Sequence, residues 1–178
     1  MNNKINIGLL SVSDRANAGE YQDKGIPAMR EWLANALASP WGEVNKLVAD
    51  DYANLCDAIK SMTDDNDCRL VLTSGGTGPA PRDITPEATL AVCEREIKGF
   101  GEEMRRQNLQ YVPTAILSRQ TAAVRGRSLI INLPGQPKAI GETLNGVFAA
   151  VPYCLDLIGS PGMETNPNVL KAFRPASK

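Results

Sequence analysis

The run Thr73-Ser74-Gly75-Gly76-Thr77-Gly78 concentrates the residues of this chain best suited to hold an anion. Its glycines let the backbone bend sharply enough for several N–H groups to converge on one point, and Ser74 and Thr77 add hydroxyl donors. Such a turn suits phosphate, although a tight strand-to-helix connection would call for the same glycines on geometric grounds alone. It follows neither the G-x-x-x-x-G-K-[ST] nor the G-x-G-x-x-G pattern, so P-loop and dinucleotide mechanisms lack support. Shortly after it, Arg82 and Asp83 offer a cation for phosphate and a carboxylate for a hard, oxygen-liganded metal such as Mg²⁺. The plainer alternative is that Asp83 caps a helix opening near Thr85 while Arg82 is solvated.

Four further clusters have the right chemistry. Asp50 and Asp51 provide carboxylates for Mg²⁺ or for a substrate group, or else they solvate a loop and cap the next helix. Ser13-Asp14-Arg15 is equally ambiguous, since Asp14 and Arg15 are able to hold one another. Ser118-Arg119 sets a hydroxyl beside a guanidinium. Pro134-Gly135-Gln136-Pro137-Lys138 reads as a second glycine turn feeding a helix, where Lys138 opposes the helix dipole unless an anion or carboxylate lies close.

What is missing narrows the chemistry further. The chain has no histidine, which removes Ser-His-Asp and Cys-His arrangements, histidine bases and histidine-ligated zinc. Acid–base or metal work then falls to carboxylates, hydroxyls, Lys, Arg, Cys or the substrate. Cys56, Cys68, Cys93 and Cys154 are dispersed without a C-x-x-C pair and read as reduced packing residues of a reducing compartment.

The elements needed to position these clusters alternate along the chain. Residues 4–12 read as a buried strand ending at Ser13, residues 16–25 as a loop, and a helix from Ile26 runs until Ser39-Pro40. A strand over 44–49 ends at Asp50-Asp51 and precedes a helix over 52–62 and a polar break at 64–67. A strand over 69–73 enters the glycine turn, and Thr85-Pro86-Glu87 opens another helix with a cap, a first-turn proline and an early acid. Helices are expected over 97–107 and 114–120, a strand over 128–133, and a mostly helical stretch over 139–158 interrupted near Pro152. A Pro- and Gly-containing tail over 159–178 is expected to drape over the surface or a neighbour. This alternation implies a mainly parallel sheet with helices on both faces, and such sheets bind ligands beyond the carboxyl ends of their strands. The clusters at 13–15, 50–51, 74–78 and 134–138 are therefore expected to meet at one edge.

A length of 178 residues fits one domain, taken here as 1–178 with 159–178 as its tail. Nineteen Lys+Arg against 20 Asp+Glu, net charge −1, argue against a general nucleic-acid coat. The longest uncharged stretch, about 143–155, contains Asn145 and Pro152 and is too short to span a membrane. The first residues, 1–8, lack the pattern of a secretory signal, so a cytoplasmic location is expected.

L-T-S-G-G-T-G with P-R-D-I-T-P-E, preceded by S-V-S-D-R and followed by T-A-I-L-S-R-Q and L-I-I-N-L-P-G-Q-P-K-A, resembles the MogA/MoaB-like molybdenum cofactor biosynthesis family. The order and spacing cover most of residues 5–158, closest to the adenylyltransferase branch. The resemblance implies a three-layer α/β sandwich with a mostly parallel central sheet, commonly assembled as a homotrimer. It implies an enzyme that uses MgATP to adenylylate the terminal phosphate of molybdopterin, releases pyrophosphate, and hands its product to a molybdate-inserting partner. Two polyanions would then share one site, and a phosphate oxygen needs no histidine base to become nucleophilic.

Carried over residue by residue, the resemblance makes Asp83 the leading catalytic or Mg²⁺-positioning carboxylate and Asp50 the second. Ser74, Gly75, Gly76, Thr77 and Gly78 would hold phosphate or pterin groups, Ser118 would contact molybdopterin, and Ser13, Asp14, Arg15, Pro134, Gly135 and Lys138 would line the nucleotide or pterin edge. One departure stands out: T-L-N-G-V-F-A-A-V runs straight through a place where some relatives carry an extra hairpin. Competing expectations are a non-catalytic pterin-binding module, a MoaB-type member with different substrate detail, and an unrelated phosphate-binding enzyme of nucleotide metabolism.

Overall fold

Strand β1 (Ile5–Val12) is apolar on both sides, and seven of its eight residues are buried, as a strand covered on both faces requires. In the computed structural model, which describes residues 4–176, it lies one strand in from the edge of a six-stranded sheet. Residues 1–3 of the stretch screened for a secretory signal, and residues 177–178 of the tail, lie outside the described residues.

The remaining strands are β2 (Trp41–Val48), β3 (Cys68–Ser74), β4 (Arg95–Glu96), β5 (Ala122–Arg125) and β6 (Ser128–Leu133), in the order β2-β1-β3-β6-β5-β4. β2, β1, β3 and β6 are mutually parallel, while β5 pairs antiparallel with both β6 and β4. The chain moves from β1 outward to β2 and then crosses back to β3, so the strand order reverses between β1 and β3. In open α/β sheets, that reversal opens a crevice at the strands' carboxyl ends.

Helices α2 (Gly25–Ala36), α5 (Lys98–Asn108), α6 (Pro137–Val147) and α7 (Val151–Leu157) cover one face. There Met29, Leu33, Met104, Ile140 and Phe148 pack on Ile7, Leu9, Leu70, Leu72 and Ile131. α3 (Tyr52–Lys60) and α4 (Thr85–Val92) cover the other, where Leu55, Ile59 and Ala88 meet Leu10, Val12, Val71 and Ile130. Consecutive residues such as Leu9 and Leu10 thus feed opposite cores, the period of two expected of a strand. A bulge at Asn6/Ile7 skips Arg69, which puts Cys68 on the face opposite to Leu70 despite their even spacing.

Several boundaries differ from the sequence reading. The expected loop over 16–25 includes a short helix, α1 (Asp14–Asn17), whose first turn is capped by the Ser13 hydroxyl accepting from Ala16 N–H at 3.2 Å. β2 starts at Trp41, three residues earlier than 44, because it pairs with β1 from Ile5↔Trp41 to Val12↔Val48. α2 ends at Ala36, since Leu37 turns extended and bridges Thr165 of the tail. α3 loosens into a π-turn, Ser61–Asp65, where the Thr63 hydroxyl lies 2.9 Å from the Ile59 carbonyl. The helix expected over 114–120 is a 3₁₀ segment, Pro113–Leu117, and β4 and β5 were not anticipated. The stretch over 139–158 breaks at Phe148–Ala150, ahead of Pro152, where the fully buried Phe148 ring meets Trp32 with centroids 4.7 Å apart.

The tail is fastened to the body. Met163 is 1% exposed within the main core, and the Arg174 guanidinium donates to Asp156 at 2.5 Å and to the Met163 carbonyl at 3.0 Å.

Candidate active site

The glycine turn sits where the strand order reverses. Gly75 leaves β3 at φ +103°, and a Cβ there would lie 2.3 Å from the Val12 carbonyl oxygen at the end of β1. Gly76 follows at φ +64°, where a Cβ would lie 2.3 Å from Thr85 Oγ1. Both positions require glycine by backbone region and by space. Thr85 then holds the turn closed: its N–H donates to the Gly76 carbonyl at 3.0 Å and its hydroxyl to the Gly75 carbonyl at 2.9 Å. Among the described residues, the N–H groups of Gly76, Thr77 and Gly78 meet no protein acceptor. Successive unpaired amides in a left-handed turn form a concavity that attracts anions.

Part of each expected strand-end cluster converges here. The Ser74 hydroxyl donates to the Pro134 carbonyl at 3.0 Å, Gly75 N–H donates to the Leu133 carbonyl at 3.3 Å, and Gly135 packs against the Gly75 Cα. Asp14 and Asp50 clasp one another reciprocally. Asp14 N–H donates to Asp50 Oδ2 at 3.1 Å, and Asp50 N–H donates to Asp14 Oδ1 at 2.8 Å. Arg82 reaches over this pair, donating from one nitrogen to Asp14 Oδ2 at 2.6 Å and to Asp50 Oδ2 at 3.5 Å. The Asp50 side chain is 8% exposed, so a charged group beside it is worth more than it would be in open water.

The two candidate metal carboxylates face the same short loop. Asp50 Oδ1 lies 3.4 Å from the Cβ position of Gly76, and Asp83 Oδ2 lies 2.7 Å from that of Gly78. Those two Cα atoms are at most about 7 Å apart along the chain. Among the described residues, no group of three or more His, Cys, Asp or Glu forms a ready-made metal cage. An all-oxygen pair beside an anion-binding turn nevertheless fits Mg²⁺, which takes one or two carboxylates together with waters and substrate phosphates.

Two cavities flank the turn. The larger, about 630 Å³, is lined by Thr77, Gly78, Ser118, Pro134 and Lys138, with Asn108, Gln120 and Glu142 behind them. The smaller, about 270 Å³, is lined by Ser13, Tyr21, Asp23, Lys24, Gly75 and Gly135. Gln136 borders both. A split site of this kind suits two ligands that meet at the turn between them.

Some expected roles change. Arg15 pairs with Glu20 at 3.0 Å instead of Asp14, its guanidinium lying over the Tyr21 ring. Asp51 caps α3, accepting from Asn54 N–H at 2.9 Å, so only Asp50 of that pair belongs to the site. Asp83 does not cap α4; its Oδ2 accepts from Ala80 N–H at 3.1 Å within the loop. Thr85 is the first residue of α4 and not its cap. Lys138 lies 3.7 Å from Glu142 and is 90% exposed along its side chain, so a carboxylate already answers its position in the first turn.

The sequence reading did not single out Asp23, Tyr21, Asn108, Gln120 or Glu142. Asp23 had a signal: it precedes α2 and accepts from the N–H groups of Gly25 and Ile26 at 3.2 and 2.9 Å, a helix-start pattern. Asn108 and Gln120 had none, since only the fold brings α5 beside the segment after Ser118. All four thiols are pushed above their ordinary range by burial, Cys68 to about 11 and Cys93 to about 12, which disfavours the thiolate at neutral pH.

The profile of a family described as "Probable molybdopterin binding domain" matches residues 8–152. A molybdopterin adenylyltransferase of Escherichia coli K12 is 53% identical over 187 residues, covering 98% of this chain and 96% of that protein. One of Helicobacter pylori 26695 is 52% identical over 171 residues, covering 96% and 97%. The crystal structure of the molybdopterin biosynthesis enzyme MoaB from Thermus thermophilus superposes with a TM-score of 0.80 at 43% identity, over 88% of this chain and 98% of that one.

Proposed function

Because the chain belongs to the molybdenum cofactor biosynthesis family of molybdopterin-binding domains, we propose how its sheet edge works as a molybdopterin adenylyltransferase. It is a nucleotidyltransferase that joins AMP from ATP to molybdopterin. A terminal phosphate oxygen of molybdopterin attacks the α-phosphorus of ATP, the bond from that phosphorus to the β-phosphate bridging oxygen breaks, and pyrophosphate leaves. The observation that carries this reading is the anion-binding turn at the strand reversal, with a cavity on either side and two carboxylates against it.

The turn Ser74, Gly75, Gly76, Thr77 and Gly78 holds the reacting phosphates through its free amides. Ser118, Pro134 and Lys138 border the larger cavity, which takes molybdopterin; Ser13, Gly75 and Gly135 border the smaller, which takes the nucleotide. Asp14 keeps Asp50 in place, and Arg15 steadies the rim through Glu20 and Tyr21. Asp50 and Asp83 are the residues that would hold Mg²⁺, which when bound screens the phosphates from one another and from the carboxylates. Arg82 balances the acidic pair and lies within reach of the same phosphates. No protein base is required, since the attacking oxygen is already anionic. In this reading the enzyme works in the cytoplasm as a homotrimer and passes its product to a molybdate-inserting protein. Among the described residues, no helix is long and apolar enough to cross a membrane.

The test is pyrophosphate release from MgATP with and without molybdopterin, for the native chain and for Asp83→Asn and Asp50→Asn at matched folding. Release that requires molybdopterin and falls by at least about 100-fold in Asp83→Asn is the expected result. Full release in Asp83→Asn would shift the leading role to Asp50, and bound molybdopterin without any pyrophosphate would favour a binding module.

A further inference from the structure

Arg119 sits in the Ser118-Arg119 cluster, but of that pair it is the guanidinium that turns away from the larger cavity and onto the loop bearing Asp83. Its backbone N–H donates to the Thr77 carbonyl at 2.8 Å. Its Nε donates to the Gly78 carbonyl at 2.8 Å, one terminal nitrogen to the Asp83 carbonyl, and the other to Glu87 of α4. One planar fork therefore spans both ends of the arc from Gly78 to Asp83, whose middle residues Pro79, Ala80, Pro81 and Arg82 are exposed and outside any helix or strand.

Within the arc, Asp83 N–H donates to the Ala80 carbonyl at 2.9 Å, and Asp83 Oδ2 accepts from Ala80 N–H. These bonds fix the shape of the arc locally but not its distance from the anion-binding amides. Thr85 ties the far end of the arc to the Gly75 and Gly76 carbonyls, and Arg119 adds the bond to the Asp83 carbonyl itself, with Glu87 orienting the guanidinium from α4. We infer that Arg119 is a positioning residue for the adenylyl transfer: it acts through Asp83 by holding that carboxylate in register with the phosphate-binding turn. Each guanidinium nitrogen has a protein acceptor, so three of the five N–H donors are committed to the loop and to Glu87. Lysine cannot replace it, because a point charge on a flexible stem cannot bond two carbonyls and a carboxylate in one plane. A displacement of about 1 Å at a reacting centre is enough to lose about 100-fold in rate.

This inference rests on the adenylyl-transfer reading, and a double-mutant cycle on molybdopterin-dependent pyrophosphate release separates the two. Arg119→Lys is expected to unfold within a few degrees of the native chain, to lose about 10- to 100-fold in kcat, and to keep KM for MgATP and for molybdopterin within about threefold. In an Asp83→Asn background the same substitution is expected to cost less than about twofold, because the carboxylate it positions is already gone. Glu87→Gln, which removes the charge orienting the fork, is expected to give a smaller loss of the same kind and serves if Arg119→Lys does not fold. Losses that multiply in the double variant, a raised KM with unchanged kcat, or native-like kcat in Arg119→Lys would each overturn the inference. Absence of molybdopterin-dependent release from the native chain would instead contradict the functional reading itself.

Discussion

Gly76 has little freedom, since Thr85 Oγ1 crowds the place a side chain would occupy and its φ is +64°. Gly76→Ala is expected to cost about 1–3 kcal/mol from backbone strain alone. It should also push Thr85 off the Gly75 carbonyl and open the turn. Thermal unfolding reads the first effect and equilibrium binding of MgATP the second; native-like affinity would show that the turn's amides are not the anion site. The thiols give an independent check on the interior. With Cys68 held up at about 11 and Cys93 at about 12, and Cys56 and Cys154 also raised, alkylation of the folded protein by iodoacetamide at pH 7.5 is expected to be at least about tenfold slower than of the unfolded chain. Rapid labelling of Cys68 in the folded state would contradict the burial that shifts it.

At the scale of elements, what could be read in the sequence depended on how local the determining interaction is. β1, β3 and β6 announce themselves because strands buried on both faces are runs of branched apolar residues, and the glycine turn because two of its positions tolerate nothing else. With the strand over 44–49, the gathering of residues 13–15, 50–51, 74–78 and 134–138 at one edge was legible, although Asp51 turns aside to cap α3. β5 was not: Ala122–Arg125 is short and ordinary in composition, and it exists because β6 offers it an antiparallel partner from Ala122↔Ile131 to Arg125↔Ser128. The Arg82 bridge to Asp14 and Asp50 and the Arg119 fork were likewise out of reach, as each joins residues more than 30 positions apart. The break before α7 shows an element shaped by packing. Phe148 is wholly buried against Trp32, and Phe148→Ala is expected to destabilise by about 3–5 kcal/mol, read as a lowered urea midpoint. A change below about 1 kcal/mol would mean that the two core helices do not meet as described.

For the whole molecule, ion pairs join segments that are distant in sequence, and their effect has a definite sign with pH. Arg125 of β5 hydrogen-bonds Asp64 of the π-turn and holds its carboxyl below the usual range, while Arg30 of α2 does the same for Glu43 of β2. A carboxylate whose folded pKa is lowered adds stability above its unfolded value, near 4, and loses it as pH falls through the folded value. The Asp64 side chain is 48% exposed, so the contribution is about 1 kcal/mol or less. Arg125→Met should therefore lower Tm most at pH 6–7, with the difference narrowing as pH falls below about 4 to the part that comes from the lost bond to the Val92 carbonyl; an offset that does not narrow would rule out the pair as a source. The functional architecture is also a property of the whole. A strand reversal places one turn between two cavities, and in the proposed mechanism two anionic substrates meet across it. The direct test of that account is the fate of each phosphate: ATP labelled separately at the α- and γ-phosphorus is incubated with Mg²⁺, molybdopterin and the native chain, and the products are resolved by mass and radioactivity. The account predicts that the α-label and the adenosine move together onto molybdopterin while the γ-label leaves as pyrophosphate; γ-label on the pterin with ADP released would contradict it.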